Sequence, residues 1–213
     1  MKMETLTVEA TILEFCREFV KNPYLCYTEE GLHALFSNRL ISKVSRDEDK
    51  YGMLAGKKVS LLQNEYPSAQ PFNDNKRGHW DIALLKSPLT PIGARIPQFD
   101  YLEVDSAVEF ALNMGAAHLR KDIARLCPIE PGMDSHVKNK YVVHLYRLMK
   151  LGSSRFSNKD MSAKNKEYIS ENGVLTEIDG SDVVVYYARV TKDDESMNTI
   201  FRIDRTGIHE REL

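Results

Sequence analysis

Residues 101–113 read Tyr-Leu-Glu-Val-Asp-Ser-Ala-Val-Glu-Phe-Ala-Leu-Asn. Along a strand, successive side chains point to opposite faces. One face then carries Leu102, Val104, Ser106, Val108, Phe110 and Leu112, which is a core face. The other carries Tyr101, Glu103, Asp105, Ala107, Glu109, Ala111 and Asn113. Three carboxylates and an amide on that face exceed what solubility asks of a sheet. Two readings of it stand at this point: the solvated outer face of an edge strand, or acids gathered beside a cation.

The neighbouring segments set this strand in a mixed α/β order. Upstream, Trp80-Asp81-Ile82-Ala83-Leu84-Leu85 is a compact strand signal, and residues 59–66 form another, stopped by Pro67. Residues 86–97 hold three prolines and a glycine and read as a turn or exposed excursion. Downstream, Gly115 precedes a helix over residues 116–126, with Leu119, Ile123 and Leu126 at helical spacing. A strand over residues 141–148 follows. Two helices open the chain. Thr7 caps residues 8–20, and Thr28 caps residues 29–42, whose first turn holds Glu29 and Glu30. Residues 43–58 are polar and read as a loop or frayed helix, and 152–161 as a mobile Gly/Ser/Asn/Lys-rich segment. A short polar helix over 162–171 and a hairpin of strands 182–190 and 199–204 make a β-rich extension over 162–213. No composition shift divides the chain, so residues 1–213 are expected to be a single domain. The order lacks the strict βαβ alternation of a Rossmann fold.

Composition excludes several classes. Hydrophobic content of 42% and charged content of 28% suit a globular chain with a real core. No apolar run reaches the roughly 18–20 residues of a membrane helix, and the N-terminus lacks the apolar run of a signal peptide. Cys16, Cys26 and Cys127 lack C-x-x-C spacing and point to reduced thiols in a cytoplasmic compartment. With 29 basic and 31 acidic residues the net charge is −2, less basic than many nucleic-acid binders, although a local basic groove is compatible with that total. Neither G-x-x-x-x-G-K-[ST] nor G-x-G-x-x-G occurs, so phosphate-loop and dinucleotide chemistry lack their motifs. There is no G-x-S-x-G elbow and no H-E-x-x-H.

Carboxylate chemistry remains. Asp81 and Glu109 lie within apolar strands, where an unpaired acid is costly. If those strands pair, both acids converge on one ion. Mg²⁺ takes oxygen ligands, retains waters, and is held by one or two carboxylates plus substrate phosphate. Such an ion activates water and neutralises phosphoryl charge. Basic residues beside Asp81, namely Lys76, Arg77 and His79, are candidate nucleic-acid contacts.

These residues carry a resemblance. His-Trp-Asp-Ile-Ala-Leu-Leu at 79–85, Val-Glu-Phe-Ala-Leu-Asn at 108–113 and His-Leu-Arg-Lys-Asp-Ile-Ala-Arg-Leu at 118–126 resemble the PD-(D/E)XK nuclease superfamily. The resemblance covers residues 27–148 and implies a restriction-endonuclease-like core, a mixed central sheet flanked by helices. It implies hydrolysis of DNA or RNA phosphodiester bonds with Mg²⁺ or Mn²⁺. Asp81 and Glu109 would be the metal acids, with Glu29 or Glu30 on the first core helix assisting. A homodimer is one arrangement in which a domain of this size cuts duplexes.

The chain departs from that family at one position. The family has a lysine two residues after the second acid; here that residue is Ala111. Losing one preorganised electrostatic group costs about 10²–10³ in rate. Three readings follow. A basic residue enters from elsewhere, with Lys121 and Arg120 nearest in sequence. Alternatively, Asn113 orients the water. In the third, the domain is a catalytically degenerate nucleic-acid-binding or assembly module.

Overall fold

A computed structural model describes residues 5–44, 46–68, 78–96, 99–127, 137–148, 170–191 and 198–213. The chain is mixed α/β, with a seven-stranded mixed central sheet. Four α-helices are described: α1 (Thr5–Lys21), α2 (Glu29–Ser42), α3 (Ala116–Leu126) and α4 (Glu171–Glu177). The strands are β1 (Tyr51–Leu54), β2 (Lys57–Ser60), β3 (Leu62–Pro67), β4 (His79–Leu85), β5 (Pro91–Ile96) and β6 (Phe99–Leu102). They continue as β7 (Val104–Leu112), β8 (Val137–Leu148), β9 (Val184–Thr191), β10 (Thr199–Asp204) and β11 (Gly207–Arg211).

The sheet order is β11-β10-β9-β8-β7-β4-β3. Strands β7, β8 and β9 run parallel, and the other neighbours pair antiparallel. Helix α3 crosses over between β7 and β8. Phe110 of β7 packs edge-on against Phe15 of α1 and Phe36 of α2 at 5.8 and 5.3 Å. Its neighbour Glu109 faces Arg125 of α3. Adjacent residues of a strand face opposite ways, so α1 and α2 cover one face and α3 the other. Helix α4 packs on α3.

That double cover corrects the edge-strand reading of residues 101–113. Strand β7 is central, and Ala107, Glu109 and Ala111 are as buried as Val108 and Phe110. Parallel strands sandwiched by helices are apolar on both faces, which is why Glu109 is conspicuous there. The long strand also divides. Leu102 ends β6, and Glu103 turns aside to accept from Lys86.

Residues 43–58 are likewise more ordered than the loop expected of them. A 3₁₀ turn at Asp47–Lys50 leads into the β1–β2 hairpin. Residues 86–97 include β5, which pairs with β6. Strands β9 and β10 pair as the expected hairpin, and β11 adds to it. The segment 152–161 and most of 162–171 lie outside the described residues.

Helix α2 shows how local chemistry positions the site. Thr28 Oγ1 accepts from Gly31 N–H at 3.0 Å, and Glu29 and Glu30 complement the positive helix end. Leu32, Phe36 and Leu40 turn to the core, and Glu29 reaches the end of β7. Thr28→Ala is expected to cost about 1 kcal/mol, read as a lower urea midpoint. The three cysteines are free. No described helix is long and apolar enough to cross a membrane.

Candidate active site

The site begins where two strands part. The β4–β7 ladder ends at Ile82–Val108, while β4 stays paired with β3 as far as His79–Pro67. Beyond that point β7 has amides facing a vacated side, and a buried amide without a partner is costly. Two carboxylates fill the role of the missing strand. Asp81 Oδ2 accepts from Phe110 N–H at 2.7 Å. Glu29 Oε2 accepts from Leu112 N–H at 3.1 Å.

A second pair of acids approaches from the α3 side. Glu109 and Asp122 are wholly buried. Arg125 Nη1 donates to Glu109 Oε2 at 2.9 Å and lies 3.4 Å from Asp122 Oδ1. His118 Nε2 stands 3.4 Å from Asp122 Oδ2. Trp80 pins this helix end, its indole N–H donating to the Arg125 carbonyl at 3.1 Å. Glu109 Oε1 is buried without a hydrogen-bond partner.

Burial and mutual repulsion act together on these groups. Burial, then the charges of Asp81 and Asp122, hold the Glu109 carboxyl well above its usual range, against the pull of Arg125. Burial first, with Asp81 and Glu29 adding to it, pushes Asp122 up to about 8 despite Arg125. Glu29 is raised by burial, partly offset by the Leu112 amide. His118 is lowered by burial and by the Arg125 and Lys121 charges. The fields of all four acids overlap at the parting of β4 and β7.

On the α2 side, His33 is buried with its ring centroid 5.1 Å from that of Phe110. Its Nε2 lies 3.5 Å from Asp81 Oδ2 and makes no hydrogen bond. Across β4, Glu65 interrupts β3. The ladder registers Asn64 with Ile82 and Tyr66 with Trp80, and Glu65 between them has φ of 52°. A left-handed backbone at a non-glycine residue costs on the order of 1–3 kcal/mol. It points to a local demand on this position.

The sequence-derived site residues distribute as follows. Asp81 and Glu29 each accept a β7 amide and Glu109 lies in the field of Asp81, but their oxygens do not form one close ligand cluster, and Glu30 is exposed. Lys121 is exposed on α3, and Arg125, one turn further on, is the cation that reaches Glu109. Arg120 is engaged with Glu177 at 2.5 Å. Asn113 has φ of 56° and its Oδ1 accepts from Arg147 N–H at 2.7 Å, so that oxygen is already occupied. Ala111 is buried opposite His144, a ring that burial lowers to about 4 and that hydrogen-bonds the Met114 carbonyl. His79 Nε2 lies against the Glu65 carboxylate. Lys76 and Arg77 lie outside the described residues.

The sequence pattern alone does not single out His33, Glu65, His118, Asp122 or Arg125 as site residues. Helical spacing carried part of that signal. His33 lies one turn after Glu29, and His118, Asp122 and Arg125 share one stripe of α3. The chain matches no known family model, and no curated protein or solved structure matches it.

Proposed function

We propose that the parting of β4 and β7 is the active site of a metal-dependent enzyme that hydrolyses nucleic-acid phosphodiester bonds, on a restriction-endonuclease-like core. The order α2, β3, β4, β7, α3, β8 supports the core. It runs helix, three antiparallel strands, helix, strand, as in the PD-(D/E)XK superfamily. One observation carries the function. The charge of Asp81 raises the cost of ionising Glu29, Glu109 and Asp122, and Glu109 Oε1 is buried without a partner. Apolar residues would fill these positions at lower cost.

An all-oxygen set of carboxylates fits Mg²⁺ or Mn²⁺. Asp81 and Glu109 would hold the ion, with Glu29 assisting. When bound, it would supply a lowered water pKa and charge neutralisation at a phosphoryl group. The chain's own residues do the rest. Arg125 brings the fixed positive charge that Ala111 lacks, in a planar fork suited to phosphate oxygens. Trp80 and Asp122 hold its helix and head group in place. Glu29 keeps the end of β7 beside the N-terminus of α2.

A second reading draws on the same arginine. Arg125 donates to Glu109 and lies against Asp122 inside the site and acts as its internal cation, which suits a domain that binds nucleic acid without cutting it. Plasmid, linear duplex, single-stranded DNA and RNA separate the two readings. The first expects Mn²⁺-dependent cleavage of at least one form, lost in Glu109→Gln. Gel-shift binding with no cleavage of any form would establish the second.

A further inference from the structure

We infer that His33, Glu65 and Asp81 form a cation site of their own, with one nitrogen and two carboxylate ligands, suited to Mn²⁺ or another first-row transition ion over Mg²⁺. It shares Asp81 with the site proposed above, and it concerns binding alone, whether or not the chain cuts nucleic acid.

The geometry starts from a ring nitrogen. His33 is buried, its side chain 11% exposed, and its Nε2 is enclosed with no hydrogen-bond partner. A buried polar atom without a partner is rare and calls for a cause. The ordinary role of such a ring is a hydrogen bond to the nearby acid. At 3.5 Å from Asp81 Oδ2 that bond is not made. The ring is held on Phe110 with Nε2 aimed at Asp81.

The third group comes from the edge strand. Glu65 leaves the β3–β4 ladder opposite Asp81 and brings a carboxylate oxygen to the same point. One ligand atom from each of the three residues lies within 4.8 Å of the others. Metal bonds of about 2.1 Å place ligands at right angles roughly 3 Å apart and opposite ligands roughly 4.2 Å apart. A small rotation of the exposed Glu65 side chain closes the difference. Its present partner, His79, is itself exposed.

The ligand set points to the class of ion. Mg²⁺ prefers oxygen ligands and keeps its waters, whereas imidazole suits transition ions. Glu29 and Glu109 contribute no atom to the trio. Glu29 serves the Leu112 amide, and Glu109 serves Arg125.

Electron spin-echo spectroscopy of the full chain loaded with one equivalent of Mn²⁺ tests the assignment. Nitrogen coupling to the bound ion is expected in wild type and absent in His33→Gln. Glu65→Gln, altered on the exposed edge and outside the core, is expected to weaken Mn²⁺ binding roughly tenfold or more while thermal unfolding of the metal-free protein stays unchanged. Mn²⁺ bound through Asp81 without nitrogen coupling and indifferent to Glu65→Gln would overturn this site and leave the phosphodiesterase reading standing. Nitrogen coupling lost in His33→Gln, in a protein that cuts no nucleic acid, would establish this site and remove that reading. Absence of Mn²⁺ binding would overturn both.

Discussion

Asp122→Asn is expected to stabilise the metal-free protein at pH 8 by on the order of 5 kcal/mol, with near parity towards pH 4. Burial and the neighbouring acids push the Asp122 carboxyl from its ordinary 3.8 up to about 8. Between those values the folded chain keeps a proton that the unfolded chain releases. Stability is therefore fully present below about pH 4 and falls by about 1.4 kcal/mol per pH unit as pH climbs to about 8. Asparagine imitates the neutral acid and cannot ionise, so it escapes that loss. It leaves the Arg125 pair with Glu109 in place. Urea unfolding at pH 5 and pH 8 measures the effect. The gap between variant and wild type should widen with pH; a constant gap, or a variant less stable at pH 8, would mean that Asp122 is ionised and well paired in the fold.

Arg125→Ala is expected to lower cleavage by about 10²–10³, the usual cost of removing one preorganised group from a reacting centre. The expected effect on folding is smaller. Breaking a wholly buried pair costs about 3–5 kcal/mol, but a third of the Arg125 side chain meets solvent and screens the interaction. Glu109, already raised, responds by retaining its proton. About 1–2 kcal/mol is therefore expected. Arg125→Lys keeps the charge and loses the fork, and should fall between. Lys121→Ala should cut at the wild-type rate, since that ammonium is exposed. A fast Arg125→Ala variant beside a slow Lys121→Ala variant would transfer the role to Lys121.

Where the determinants are local, the sequence expectation and the structure coincide. Helices α2 and α3 begin and end where Thr28, Gly115 and the apolar spacing place them. Where partners are distant, the expectation differs. Alternation along residues 104–112 identifies a strand, but only the α3 cover makes its second face interior. The β1–β2 hairpin turns at Ala55-Gly56, both with positive φ, and alanine hides a turn that asparagine would have announced. Strand β11 is short and polar, supported by pairing with β10 rather than by its own pattern.

Asp81 and Glu109 were legible as candidates because they interrupt apolar strands. The cation of the site was not, because helix rotation rather than nearness in sequence selects Arg125 over Lys121. Glu65 was the least accessible of all. Its place depends on the β3–β4 register and on a backbone conformation that glutamate rarely adopts.

Titration calorimetry of the metal-free protein with Mg²⁺, on wild type, Asp81→Ala and Glu109→Ala, tests most directly whether the acids at the parting of β4 and β7 gather for a divalent cation. Saturable binding in wild type that both substitutions abolish is the expected result. Absence of binding in wild type, or the same binding in both folded variants, would contradict the cation site and with it the proposed chemistry.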